Sequence, residues 1–137
     1  MHHPCLTQLD VIRLERMLQA RSARGLLAEV EGERIDALLE SADVVPGENI
    51  PGDVVTMNSM VVYRDLDTGL EHEVTLVYPT LADSTQQRLS VTSCVGAALL
   101  GMRVGEHIAF ALPNGAQRRM QILAIPFQPE AAGQFHL

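Results

Sequence analysis

Two Pro-Gly pairs, Pro46-Gly47 and Pro51-Gly52, fall within one short stretch of this chain and limit its fold more than any other feature. Proline denies a helical backbone to the residue before it, and a Pro-Gly pair favours a turn, so no helix runs through Asp43 to Asp53. The hydrophobic period changes at the same place. Upstream, apolar residues recur at helical spacing; downstream they alternate. The predicted division is an arm over 1–45, a Pro/Gly linker over 46–53 and a domain over 54–137.

In the arm, Thr7-x-x-Asp10 is a capping signature, and Val11, Leu14 and Leu18 follow on one face of a first helix that ends between Arg21 and Gly25. Beyond the turn, Leu27, Val30, Arg34 and Leu38 form the expected seam of a second helix, with Ile35 and Leu39 on another side. Gly32 inside it costs about 1 kcal/mol relative to alanine. The simplest arrangement is two antiparallel helices of about 16 residues, each spanning ~24 Å at the helical rise per residue.

The domain reads as mostly strand. Met60 to Arg64 and Glu73 to Tyr78 are rich in Val, Tyr and Thr, and Asp65-Leu66-Asp67-Thr68-Gly69 joins them as a hairpin. Val74, Leu76 and Tyr78 share one face. Ser90 to Thr92 leads into a helix over Cys94–Leu100, with Ser93 as N-cap, Val95, Ala98, Leu99 and Met102 at helical spacing, and Gly101 as a left-handed stop. Gly105 opens a strand in which Ile108, Phe110 and Leu112 alternate with His107, Ala109 and Ala111. Pro113-Asn114-Gly115 turns it into a second strand, Gln117 to Ile125. The fold class is therefore α+β: a short helical hairpin, then an antiparallel sheet of four or five strands covered by one helix. Its expected core is Val61, Leu76, Val95, Leu99, Ile108, Phe110, Ile122 and Leu123. The tail from Phe127 receives no assignment.

A formal net charge of −7 over 137 residues disfavours binding to nucleic-acid phosphates and favours a protein surface with basic character as partner. The longest apolar run, Cys94 to Met102, is far short of the ~20 residues of a membrane span, and no basic-then-apolar leader opens the chain, so a cytoplasmic location is expected. Cys5 and Cys94 lie far apart, outside any C-x-x-C, and are expected as thiols. His2 and His3 adjoin the terminus, while His72, His107 and His136 are scattered, without the spacing of a metal site. Cys94, at a helix start, is the one candidate nucleophile, but no base can be placed beside it, and a half-buried structural thiol is the simpler reading. No cofactor, metal or catalytic group is expected, and the chain is expected to be a monomer.

The pattern Ser90-x-x-Ser93-Cys94-Val95-Gly96-Ala97-Ala98-Leu99-Leu100-Gly101, with Leu112-Pro113-Asn114-Gly115, resembles the C-terminal domain of the GreA/GreB transcript-cleavage factors. Val54-Val55-Thr56-Met57-Asn58-Ser59, Leu76-Val77-Tyr78-Pro79 and Gln128-Pro129-Glu130-Ala131-Ala132-Gly133 resemble, more narrowly, the regulators of nucleoside diphosphate kinase, the Rnk branch of that family. The likeness runs in register from Asp53 to the C-terminus. It implies an FKBP-like C-terminal domain, a helical hairpin, and a bacterial protein that binds RNA polymerase near its secondary channel. It also places Thr92, Ser93, Cys94, Val95 and Gly96 in the loop that docks on the coiled coil at the channel rim. Cys94 stands where the family commonly has proline.

Gre factors resemble one another in an acidic pair at the tip of a long hairpin, where it helps to hold a metal ion for transcript hydrolysis; Mg²⁺ prefers such hard oxygen ligands. Here the turn is Gln19-Ala20-Arg21-Ser22-Ala23-Arg24-Gly25, in which Arg21 and Arg24 take the tip and no carboxylate occurs. Glu29 and Glu33, one helical turn apart on a flank, and Glu31 on another side read as solvated. The expected function is non-enzymatic: a regulator that binds RNA polymerase and competes with Gre factors without stimulating cleavage. An FKBP-like peptidyl-prolyl isomerase is the alternative from another class; it needs an aromatic-lined pocket, and the chain has three Phe, two Tyr and no Trp. Direct regulation of nucleoside diphosphate kinase follows only from the branch's name.

Overall fold

The computed structural model describes residues 4–23, 29–112 and 114–134. A buried strand β1, Cys5–Thr7, leads directly into helix α1, Gln8–Ala23. The Thr7 hydroxyl caps that helix by accepting the Asp10 N–H at 3.1 Å. Helix α2, Glu29–Ser41, is followed by strand β2, Asp43–Val45, which pairs with β1 in parallel, Cys5 opposite Asp43 and Thr7 opposite Val45. The Asp43 N–H donates to the Pro4 carbonyl at 2.8 Å, so the start of α1 and the end of α2 are tied together.

Downstream lie β3, Met60–Asp65; β4, Glu71–Val77; β5, Arg88–Ser90; helix α3, Cys94–Leu99; β6, His107–Ala111; and β7, Gln117–Phe127. The sheet order is β5-β4-β3-β7-β6. The β3/β4 hairpin pairs Val62 with Glu73, and its turn forms because the Asp65 carboxylate accepts the N–H groups of Asp67 and Thr68 at 2.8 and 3.2 Å. The expected Asn114-Gly115 turn joins β6 to β7, with the Ala116 N–H bonded to the Asn114 side chain at 2.9 Å and Gly115 at φ 86°.

The sheet is mostly antiparallel, with one correction to the expected pattern. Two 3-10 turns, Pro79–Leu81 and Ser84–Gln86, followed by Gln87 in the left-handed region, carry the chain back across the sheet edge. Residues 88–90 therefore form a strand parallel to β4, with Leu89 opposite Leu76, in a sheet expected to be antiparallel throughout, and of the expected lead-in Val91 and Thr92 run on into α3.

Of the expected core, Val61, Leu76, Leu99, Phe110 and Ile122 are buried, while Val95 and Ile108 are half-buried against them. Leu123 is half-buried, because strand alternation turns it away from the face that carries Met120 and Ile122. The expected α2 seam also needs correction. Ile35 is fully buried against Leu18 and Ala97, so it belongs to the packed face with Leu38 and not to another side. Leu27 lies outside the described residues, as do the side chains of Val30 and Arg34. Leu6, Leu14 and Leu38 share one cluster with Val61, Leu76 and Leu99, so the arm's root and the sheet have a common core.

The described part of the tail, through Gln134, docks. The Gln128 side chain, 3% exposed, donates to the carbonyls of Pro51 and Val54 at 2.7 and 2.8 Å and accepts the Ala131 N–H at 3.1 Å. A buried amide that loses its partners costs roughly 1–3 kcal/mol per unsatisfied group. Gln128→Leu strands two carbonyls and one N–H at once and is expected to lower stability by on the order of 3 kcal/mol in urea unfolding. An effect within ~0.5 kcal/mol of wild type would show that the tail bonds carry no weight.

Candidate partner-binding surface

The lead-in to α3 is built from hydroxyls that satisfy one another. Ser93 Oγ donates to the Ser90 carbonyl at 2.7 Å and accepts the Gly96 N–H at 3.0 Å, the expected cap. Ser90 Oγ accepts the Thr92 N–H at 3.1 Å and lies 2.7 Å from Thr92 Oγ1. The loop thereby closes on the first turn so tightly that a Cβ on Gly96 would lie 2.1 Å from the Ser90 carbonyl oxygen. Only glycine fits there.

This geometry divides the five candidate residues. Thr92 and Gly96 are buried and shape the loop from within, and the Gly96 N–H is consumed by Ser93 rather than offered to a partner. Ser93, Cys94 and Val95 are half-buried. Val95 opens onto a groove of about 270 Å³ shared with Phe110 and Leu112 from the β6 side, Tyr63 of β3, and Met120 and Arg118 of β7. The groove exists because α3 has only 6 residues and cannot cover a sheet of five strands. Phe110, assigned from sequence to the core alone, thus has a second role, and strand alternation placing Tyr63, Phe110 and Met120 on one face was the signal for it.

Charge borders the groove. Arg118 and Asp65 are hydrogen-bonded, Arg118 also lies 3.8 Å from Asp67, and Arg119 lies 3.5 Å from Asp67. The hydrogen bond from Arg118 holds the Asp65 carboxyl below the usual carboxylate range. His72 stacks on Tyr63 with ring centroids 5.2 Å apart, and His107 is exposed on β6. Among the described residues no three His, Cys, Asp or Glu side chains converge, and neither Cys5 nor Cys94 is disulfide-bonded. Arg24 lies outside the described residues, and so do the side chains of Arg21, Glu29, Glu31 and Glu33.

The profile described as "Transcription elongation factor, GreA/GreB, C-term" matches residues 50–127, which hold the whole five-stranded sheet and α3. The chain belongs to the GreA/GreB family. The regulator of nucleoside diphosphate kinase of Escherichia coli K12 is 39% identical over 132 residues, covering 96% of this chain and 95% of that protein. Transcription elongation factor GreA of Thermotoga sp. strain RQ2 is 37% identical over 91 residues, 66% of this chain but only 57% of GreA. Among solved structures, a GreA/GreB elongation factor from Nitrosomonas europaea superposes with a TM-score of 0.72 at 35% identity, over 90% of this chain and 99% of that one. The descriptions in this family name regulators and transcription factors, and the likeness to GreA falls short of GreA's full length. No helix among the described residues is long and apolar enough to cross a membrane.

Two substitutions test the local geometry of this family's α3 loop. Gly96→Ala places a methyl group against a backbone oxygen and is expected to cost on the order of 2 kcal/mol or more. Ser93→Ala removes one cap, worth about 1 kcal/mol. Thermal unfolding should rank them in that order, and the reverse order would contradict the close approach.

Proposed function

We propose that this protein is a regulator that binds RNA polymerase at the rim of the secondary channel, where it competes with GreA/GreB factors without stimulating transcript cleavage. The observation that carries the reading is the position of Val95, which joins the α3 loop to the groove of about 270 Å³. Together they offer a partner helix an apolar recess with a polar rim, the composition of a protein–protein contact rather than of a phosphate-binding surface. The resemblance to Gre factors supports reading this same loop as the docking element. We read the sheet and α3 as an FKBP-like domain over 54–137, joined by the 46–53 linker to a helical-hairpin arm over 1–45.

The arm supports the second half of the reading. α1 and α2 have 16 and 13 residues, about 24 and 20 Å of helix. The sequence over 19–25, which begins in the last turn of α1, contains arginines and no carboxylate, a donor set that does not suit Mg²⁺. No hydrolytic step is therefore derived for the arm, and the protein acts by occupancy.

Displacement of GreA from core polymerase should rise with the concentration of this protein, while transcript hydrolysis in a backtracked complex stays at its unassisted rate. Val95→Glu, shown folded by circular dichroism, should lose at least tenfold in polymerase affinity, the equivalent of about 1.4 kcal/mol. Stimulated cleavage that disappears in the double variant Glu29→Ala, Glu33→Ala would overturn the non-cleaving reading. Undiminished binding by folded Val95→Glu would overturn the docking surface.

A further inference from the structure

Two carboxylates from distant parts of the sequence meet at one dipeptide. Asp10, in the first turn of α1, is 2% exposed and accepts the Met57 N–H at 3.0 Å. Glu130, in the tail, accepts the Thr56 hydroxyl at 2.6 Å. With that hydroxyl proton spent on Glu130, the Ser59 hydroxyl must donate to Thr56 Oγ1 at 2.8 Å, and Ser59 Oγ in turn receives the Thr56 N–H at 3.1 Å. Thr7, Thr56 and Ser59 are all buried, while Glu130 reaches them from a half-buried position.

The groups that face Asp10 come from every element packed there. Arg13 and Thr7 belong to its own helix and cap, Met57 to the loop, Glu130 to the tail, and Tyr78 to the segment after β4. Glu130 opposes a negative charge on Asp10, whereas Arg13, Thr7 and the Met57 amide favour one.

We propose that Asp10 and Glu130 form a proton-operated clamp on Thr56-Met57, closed while Asp10 is protonated and loosened at the root of α1 once both carboxylates are ionised. The inference concerns the fold itself and holds whether or not polymerase is the partner. Burial, reinforced by the charge of Glu130, pushes the Asp10 carboxyl from 3.8 up to about 6. A group whose pKa is raised in the closed state binds its proton more tightly there. Its contribution to closure is full below 3.8 and is lost as pH rises through about 6. Leu14 and Leu18 keep the rest of α1 in the core, so the change is confined to the helix's first turn and the loop it holds.

The test follows the full chain by NMR from pH 5 to pH 8, reading the Asp10 carboxyl carbon and the exchange of the Met57 amide corrected for its intrinsic pH dependence. Asp10 should titrate near 6, and Met57 should lose on the order of tenfold in protection across the range. Glu130→Gln keeps an acceptor for Thr56 but removes its charge, so both transitions should move to lower pH. Asp10→Asn keeps an acceptor for Met57 without a charge and should hold the protection constant. Constant Met57 protection in the wild type, or an Asp10 that titrates in the ordinary carboxylate range, would overturn the clamp. Should Asp10→Asn not fold, Glu130→Gln decides alone: transitions that stay at the wild-type pH overturn it as well.

Discussion

Buried main chain must find hydrogen-bond partners, and in this protein the requirement is most acute between Asp53 and Ser59, a segment with almost no regular structure. Val54, Val55, Thr56, Met57 and Ser59 are all buried there. The segment solves the problem by bonding to each neighbouring part of the chain in turn. Val55 exchanges bonds with the end of α3, its N–H donating to the Met102 carbonyl at 2.8 Å and its carbonyl accepting the Gly101 N–H at 2.9 Å. Asn58, in the left-handed region at φ 67°, donates to Leu76 of the sheet at 2.6 Å. Asp10 takes Met57 and Gln128 takes Val54. The first helix, α3, the sheet and the tail are thereby registered against one irregular loop.

The groove beside Val95 is a consequence of that registration. Cys5 donates to the Gly101 carbonyl at 3.1 Å, so the residue that ends α3 also anchors the first strand. Gly101 adopts φ 82°, and a Cβ there would lie 3.0 Å from Pro4, so the close approach of the N-terminal strand also depends on glycine. With α3 fixed at both ends, by Ser93 and by Gly101, its short length leaves part of the sheet uncovered, and the groove beside Val95 is that remainder. An apolar recess made by withholding cover, rather than by adding side chains, is economical in a chain of 137 residues.

Features that act over a few residues were legible in the sequence. The Ser93 cap, the Gly101 stop, the Asp65–Gly69 turn and the Asn114-Gly115 hairpin each depend on a residue type and its immediate neighbours, and all formed as expected. Val95 was marked as a candidate contact only through the resemblance to Gre factors, since helical spacing by itself assigned it to the core. Thr92 and Gly96 were marked with it, but burial depends on how closely the loop folds back, which spacing alone does not report.

What the sequence left unread shares one physical cause. Asp10 takes part in the Thr7 cap as its spacing suggests, but spacing does not show that its carboxylate also bonds to an amide 47 positions away. Ile35 was set apart from the seam because the α2 pattern says nothing of Ala97, the residue it packs on. The direction of β5 was set by two 3-10 turns and a left-handed Gln87. The sequence by itself determined the α+β class, the β3/β4 and β6/β7 hairpins and the family, because periodicity, turn residues and motif spacing are local quantities. The tertiary structure alone decided which polar groups share a buried site, which face of α2 is packed, and where the sheet is left bare. Those outcomes depend on contacts between segments far apart in the chain, and the energy of such contacts is written in no single stretch of it.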